Sequence, residues 1–325
     1  MEYSEIQYVG KRVSRLFFGT CIRRMKAGEN ADDLLDAAFA TGINAFDTAR
    51  GYGGAERSLG GWIDRRGNRA DVVIQTKGGL NGFLWRSRVK ERCVRADLER
   101  SLKELHTDYV DIYLLHRDDR RVPVGVIVEM LNELVCEGRV RAFGGSNWTY
   151  GRIEDANEYA YAKGLQPFTV SSPNFGLAVM EKDPWGGGLT TVTGEKNAAE
   201  REWYRRTGMP LVAWSSLGGG LFSGRFVSSD IRGARRNMAA LYRKAFLYPD
   251  NLRRLARAER LAEKYGKAPS QIATAYMLAC GMNVFPIVGA GSAEHIRKNA
   301  EAAEIKLTGR EAAWLDLRSD DGEEL

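Results

Sequence analysis

Four side chains in the first 116 residues are of types that move protons. Each one follows a short apolar run. Asp47 comes just after Asn44-Ala45-Phe46, and Tyr52 follows five residues later in a turn holding Gly51, Gly53 and Gly54. Lys77 follows VVIQT (72–76), and His116 follows YVDIYLL (109–115). Glycines let such a turn reach backbone conformations closed to other residues. A carboxylate, a phenol, an amine and an imidazole gathered on one rim would make a site for acid–base chemistry. Taken singly, each has an ordinary structural use: Lys77 on the surface, His116 satisfied in the core, Asp47 as a helix cap, Tyr52 on a turn. The four together at the ends of three successive apolar runs are a narrower coincidence.

The elements that must position these residues alternate regularly. Strands are expected at Val13–Thr20, Asn44–Phe46, Val72–Thr76, Tyr109–Leu115, Val140–Gly144, Phe168–Ser171, Leu211–Ala213 and Val284–Ile287. Helical periodicity falls between them at Ala31–Ala40, from Glu56, and at Val89–Leu105, Val124–Cys136, Tyr150–Ala162, Ala198–Arg206 and Ser270–Cys280. Strand–helix alternation argues for a parallel sheet. Eight such units in one chain of 325 residues fit an α/β fold of the (β/α)₈ TIM-barrel type in a single domain, 1–325. An open dinucleotide-binding sheet would want GxGxxG after its first strand, and Gly19-Thr20 is not that. The strands' carboxyl ends then share one rim, where barrels carry their chemistry. Two long connections, 176–197 and 218–250, follow strands six and seven and would wall or cover that rim, or are simple insertions.

Composition excludes several classes. The N-terminus, MEYSEIQYVGKRVS, lacks the apolar core of a secretion signal. No run approaches the ~18 apolar residues of a membrane span. Four cysteines without close pairing suggest reduced thiols and a cytoplasmic setting. The net charge of +6 gathers into no basic tail or nucleic-acid motif; its densest stretch is Arg225–Lys244, which an anionic small ligand or a solvated helix explains as well. His106, His116 and His295 are too scattered for a zinc site, so no metal is expected. The partner expected is a small molecule, with no nucleic acid and no membrane, and the sequence sets no oligomeric state.

Six stretches, FDTARGYGGAE, QTKGG, YLLHRDD, GGSNW, VAWSSLGGGLFSG and PIVGAGSAEHIRKN, run in order from about Val13 to Thr308. As an ordered set they resemble the aldo-keto reductase family. The resemblance implies a (β/α)₈ barrel reducing carbonyl compounds with a nicotinamide cofactor, NADPH before NADH. It maps the family's catalytic four onto Asp47, Tyr52, Lys77 and His116. It also matches Ser146 and Asn147 to contacts with the nicotinamide amide, Trp214 to the aromatic stacked on the ring, and Thr20 to a ribose contact close to Asp47. Ser215, Leu217 and Gly219 match the pyrophosphate cradle. Gly289 and Gly291 open the helix Ala293–Ala300, and a barrel's phosphate site commonly lies there.

The chemistry suits those types. Tyr52 would give a proton to the carbonyl oxygen. A free phenol has a pKa of about 10, some three units above neutrality, or ~4 kcal/mol. An ammonium ~4 Å away at an effective dielectric of ~20 supplies about that much. Lys77 would be that ammonium, held by Asp47, while His116 orients the substrate oxygen. The family pattern is not kept everywhere. Ser171 stands where a glutamine usually meets the nicotinamide carboxamide. His295 stands where an arginine often meets the 2′-phosphate, and Lys298 replaces a common glutamate beside the adenine contact Asn299. Arg225, Arg297 or Lys298 would then supply the positive charge. Candidate pocket residues are Trp85, Arg86, Arg117, Asp118, Trp148 and Trp185, suited to an apolar or sugar face or an acidic group. Two rival readings are an NADP-binding regulatory barrel, similar to the channel-associated relatives of this family, and a phosphosugar isomerase on the same barrel.

Overall fold

The computed structural model describes residues 1–81 and 87–320. The candidate pocket residues Trp85 and Arg86 lie outside the described residues. A hairpin of β1 (Tyr3–Glu5) and β2 (Arg12–Ser14) opens the chain. Eight strands then close into a barrel in sequence order: β3 (Phe17–Gly19), β4 (Ala45–Asp47), β5 (Val73–Gly78), β6 (Val110–Leu115), β7 (Val140–Ser146), β8 (Val170–Ser172), β9 (Leu211–Ala213) and β10 (Val284–Val288). The registered neighbours are parallel. β5 and β6 are buried at every residue, as strands covered on both faces must be.

The helices form where the apolar spacing predicts. Val124–Cys136 and Tyr150–Ala162 fall on their expected bounds. The second is capped by Thr149, whose hydroxyl accepts from the Arg152 N–H. Helix Glu91–Leu105 buries Val94, Leu98, Leu102 and Leu105, one stripe at three- and four-residue spacing.

Two expectations are corrected. The first strand does not run unbroken from Val13 to Thr20. Val13 and Ser14 belong to the hairpin, and the Ser14 hydroxyl donates to the Leu16 carbonyl at 2.7 Å, turning the chain before β3 begins. The apolar pattern continues through this turn, so periodicity alone does not reveal it. The connection 218–250 is not irregular throughout either. It holds helices Ile231–Asn237 and Ala240–Phe246, too short for a periodic signal, and Pro249–Tyr265 starts at its end with proline in the first turn. The side chain of Asn251 ties this region to the other long connection, accepting from Val179 N at 2.9 Å and donating to the carbonyls of Val179 and Phe246 at 2.8 Å each.

The chain divides into two compact units: Glu2–Ser172 with Gly289–Arg297, and Pro173–Val288 with the chain from Lys298 onward. No helix among the described residues is long and apolar enough to cross a membrane. Among them, too, no three His, Cys, Asp or Glu side chains are grouped to hold a metal ion.

Candidate active site

In the first unit the alternation of β5 sorts its side chains. Gln75 and Lys77 point to one face of the strand and Thr76 to the other. The Lys77 ammonium donates to Asp47 Oδ1 and, at 2.9 Å, to the Thr48 carbonyl. Gln75 Nε2 reaches the same Asp47 oxygen at 2.6 Å. Asp47 and Lys77 are 3% and 2% exposed, so this is a buried pair whose partners are all supplied by β4, β5 and the residue after β4. On the other face of β4, Phe46 packs on Phe18 and Trp62 at ring separations of 6.1 and 5.2 Å.

Tyr52 is held beside this pair by its turn. Its N–H donates to the Ala49 carbonyl at 2.9 Å, and Gly54 N–H donates to the Lys26 carbonyl at 2.8 Å. Gly53 has φ of +64°, and a Cβ there would fall 2.7 Å from that same carbonyl oxygen. Only glycine satisfies both conditions. The Lys77 nitrogen lies 5.1 Å from the centre of the Tyr52 ring, and the His116 ring meets it edge-on at 5.8 Å. The structure therefore brings the four predicted side chains, Asp47, Tyr52, Lys77 and His116, into one cluster.

His116 is tied by its backbone: its N–H donates to the Gly78 carbonyl at 2.7 Å. Burial, then the Lys77 ammonium and the Arg117 guanidinium, hold its imidazole well below the ordinary value of 6.5. It is neutral at pH 7 and keeps one N–H to donate. Below pH 6.5 the unfolded chain takes up a proton there that the folded chain refuses, so stability falls as pH drops through that value. The loss approaches ~1.4 kcal/mol per pH unit. A His116→Gln protein is expected to show a flatter stability profile between pH 5 and 7.5 than the parent, measured by urea unfolding at each pH.

The other predicted residues of this unit line up on neighbouring strand ends. Thr20 N–H donates to the Asp47 carbonyl at 2.9 Å. Ser146 Oγ donates to the Ser172 carbonyl at 3.0 Å, and Asn147 N–H to the same oxygen at 3.1 Å. Asn147 adopts φ of +61°, a conformation asparagine tolerates better than most. Two glycines make room below it: a Cβ on Gly144 would lie 1.7 Å from the Val170 oxygen, and one on Gly145 2.5 Å from the Trp148 ring. Ser171 is fully buried. Gly289 passes close to the Gly19 carbonyl, 3.4 Å from where its Cβ would be. His295 is exposed, and its ring nitrogen Nδ1 sits 3.0 Å from the Ser292 hydroxyl, which also accepts the His295 N–H at 3.3 Å. Of the pocket candidates, Trp148 is fully buried against Phe168 and takes a core role. Asp118 pairs with Arg152 at 3.2 Å.

In the second unit, Trp214 follows β9. Its carbonyl accepts from Asn174 Nδ2 at 3.1 Å, and its ring meets Trp185 edge-on at 5.8 Å. Tyr242 meets Trp185 in turn at 6.0 Å. Ser215 has φ of +56°, and Gly218, Gly219 and Gly220 follow at +59°, +64° and +94°. Gly218 N–H donates back to the Ser215 carbonyl at 2.9 Å, closing a tight turn. A Cβ on Gly219 would fall 2.4 Å from the Tyr242 ring. Leu217 accepts from the N–H groups of Gly220 and Phe222 at 3.1 and 3.2 Å. Arg225 is exposed, its guanidinium over the Phe226 ring at 5.5 Å. On helix Ala293–Glu301, Lys298 is exposed and Asn299 buried.

Several buried polar atoms have no hydrogen-bond partner among the described residues: Thr20 Oγ1, His116 Nδ1 and Ser172 Oγ in the first unit, and Trp214 Nε1 in the second. Leaving such atoms unmet is costly, and those of the first unit suit a polar ligand. Sequence reasoning passed over Gln75, Ser172 and Glu56. Strand alternation was the available signal for Gln75, two residues before Lys77. Glu56 stood inside the motif but was read only as the start of a helix.

The chain is 29% identical over 331 residues to aldo-keto reductase str7 of Strobilurus tenacellus, covering 98% of this chain and 90% of the relative. It is 29% identical over 308 residues to a putative aryl-alcohol dehydrogenase of Saccharomyces cerevisiae, covering 89% and 76%. A thermostable aldo-keto reductase solved with the inhibitor epalrestat superposes with a TM-score of 0.72 at 25% identity, over 98% of this chain and 100% of that one. The model of the aldo/keto reductase family matches residues 16–317. With a closed parallel barrel and a family match over nearly all its length, the chain belongs to the aldo-keto reductase family.

Proposed function

We propose that the protein reduces an aldehyde or ketone to the alcohol, with NADPH as the preferred cofactor and Tyr52 as the general acid. The observation that supports this most is the buried Lys77–Asp47 pair set beside the Tyr52 and His116 rings. A reduced nicotinamide, when bound, supplies hydride to the carbonyl carbon. Tyr52 gives its hydroxyl proton to the carbonyl oxygen as charge gathers there. The Lys77 ammonium stabilises the phenolate left behind, and Asp47, with the Thr48 carbonyl, fixes the ammonium in place. His116, neutral, donates a hydrogen bond to the same oxygen and orients it.

For the cofactor, Thr20, Ser146, Asn147, Ser171 and Trp214 would hold the nicotinamide end, and Ser215, Leu217 and Gly219 the pyrophosphate. Gly289 and Gly291 would admit the adenosine phosphate, with Asn299 on the adenine. Arg225, Arg297 and Lys298 are exposed cations, and His295 is engaged with Ser292, so the cations rather than His295 would meet a 2′-phosphate.

Absorbance at the reduced nicotinamide band tests the whole reading. Aryl aldehydes come first in the panel, given the likeness to an aryl-alcohol dehydrogenase, and sugar aldehydes second. NADPH is expected to give at least tenfold higher kcat/KM than NADH, and Lys298→Glu to narrow that ratio by roughly tenfold, about 1.4 kcal/mol. Cofactor binding without oxidation by any aldehyde or ketone would favour a regulatory role. No binding at all would end the nicotinamide reading.

A further inference from the structure

The turn that carries Tyr52 is closed by charge. Arg50 and Glu56 stand on either side of it, and Arg50 Nη1 lies 3.6 Å from Glu56 Oε2. The other oxygen, Oε1, accepts the Thr76 hydroxyl at 2.6 Å. Thr76 is the residue before Lys77, and the Arg50 N–H donates to the Lys77 carbonyl at 2.9 Å. One carboxylate therefore touches both flanks of the problem: the turn holding the phenol and the strand holding the ammonium. Glu56 is 1% exposed, deep for a carboxylate. Such a group is costly to bury. A helix of twelve residues, Ala55–Arg66, does not need it, since glutamate in the first turn stabilises a helix just as well when it faces water. Burial raises the carboxyl above its ordinary range, opposed first by the Thr76 hydroxyl, then by the Ser101 hydroxyl and the Arg50 guanidinium.

We infer that Glu56 is a positioning residue: bridging Arg50 and Thr76, it sets the Tyr52 hydroxyl against the Lys77 ammonium. This rests on the proposed role of Tyr52. The physical reason is length. Between Ala49 and Ala55 the turn holds three glycines, and its backbone ties include Gly54 N–H to the Lys26 carbonyl and Arg50 N–H to the Lys77 carbonyl. In a turn this rich in glycine a side-chain brace limits how far the phenol shifts, and misplacement by about 1 Å can lower a rate on the order of 100-fold. The Arg50–Glu56–Thr76 brace removes that freedom.

Glu56→Gln keeps the acceptor for Thr76 and removes the charge facing Arg50; Glu56→Ala removes both. Turnover with NADPH and the best aldehyde of the panel is expected to fall by roughly 10-fold in the first and 10- to 100-fold in the second. The Kd for NADPH should stay within twofold, and the folded fraction by circular dichroism should be unchanged in Glu56→Gln at the assay temperature. Ionisation of the Tyr52 phenol, read as tyrosinate absorbance against a Tyr52→Phe background, should move to higher pH in Glu56→Gln. Turnover within twofold of the parent, or a loss that only follows unfolding, overturns the inference. A parent inactive on every carbonyl sinks the proposed function instead, and the phenol titration then decides the brace alone: no movement in Glu56→Gln overturns it.

Discussion

A Tyr52→Phe protein is expected to lose on the order of 10²- to 10⁴-fold in kcat with carbonyl substrates, and to bind NADPH as the parent does. The substitution removes one oxygen and nothing else. The Tyr52 ring, half-buried and edge-on to His116, keeps that ring contact in the variant. Without that proton the developing alkoxide has only the hydrogen bond from neutral His116. An interaction made only in the transition state lowers kcat and kcat/KM together and leaves ground-state binding alone. Steady-state kinetics with a fluorescence titration of the cofactor separates the two. Full turnover in the folded variant would remove Tyr52 as the acid.

The largest expected effect on stability lies at the other end of the same strands. Asp111, the second residue of β6, is fully buried and meets Lys11 at 3.0 Å and Arg69 at 2.9 Å, while accepting from Ile74 N–H at 2.9 Å. Both cations also lie over the Tyr109 ring, at 5.6 and 4.0 Å, and Arg141 joins them at 4.4 Å. Three cations gather around one aromatic ring, and Asp111 pairs with two of them. Asp111→Ala would leave those charges and one backbone donor uncompensated, at a cost of about 3–5 kcal/mol. A Tm drop of roughly 5–10 °C is expected in a thermal scan. Asp111→Asn, which still accepts from Ile74, should fall between the two. Protein that remains folded should keep its kcat, since Asp111 is at the opposite end of β6 from His116. A change below about 1 kcal/mol in Asp111→Ala would mean that solvent reaches the cations more freely than their exposures of 14% and 18% suggest.

What the chain of residues determined by itself was the alternation and its consequence. Buried parallel strands are mostly apolar, so VVIQT and YVDIYLL announce themselves, and an ionisable residue directly after such a run stands near a strand end. That local rule located Asp47, Lys77 and His116, with the glycine-flanked Tyr52 in the turn after Asp47, and the ordered motifs named the family. Tertiary structure decided everything that depends on which face meets which neighbour. Gln75 and Thr76 read alike as polar interruptions of an apolar strand, yet one goes to Asp47 and the other to Glu56. Trp148 suits a pocket or plain packing by its sequence position, and in the fold it packs against Phe168 where Gly145 leaves it room. The turn before β3 and the two seven-residue helices after β9 carry no periodic signal of their own. They are fixed by Ser14, Asp230 and Asn251, polar side chains whose hydrogen bonds are invisible until the fold brings donor and acceptor within 3 Å.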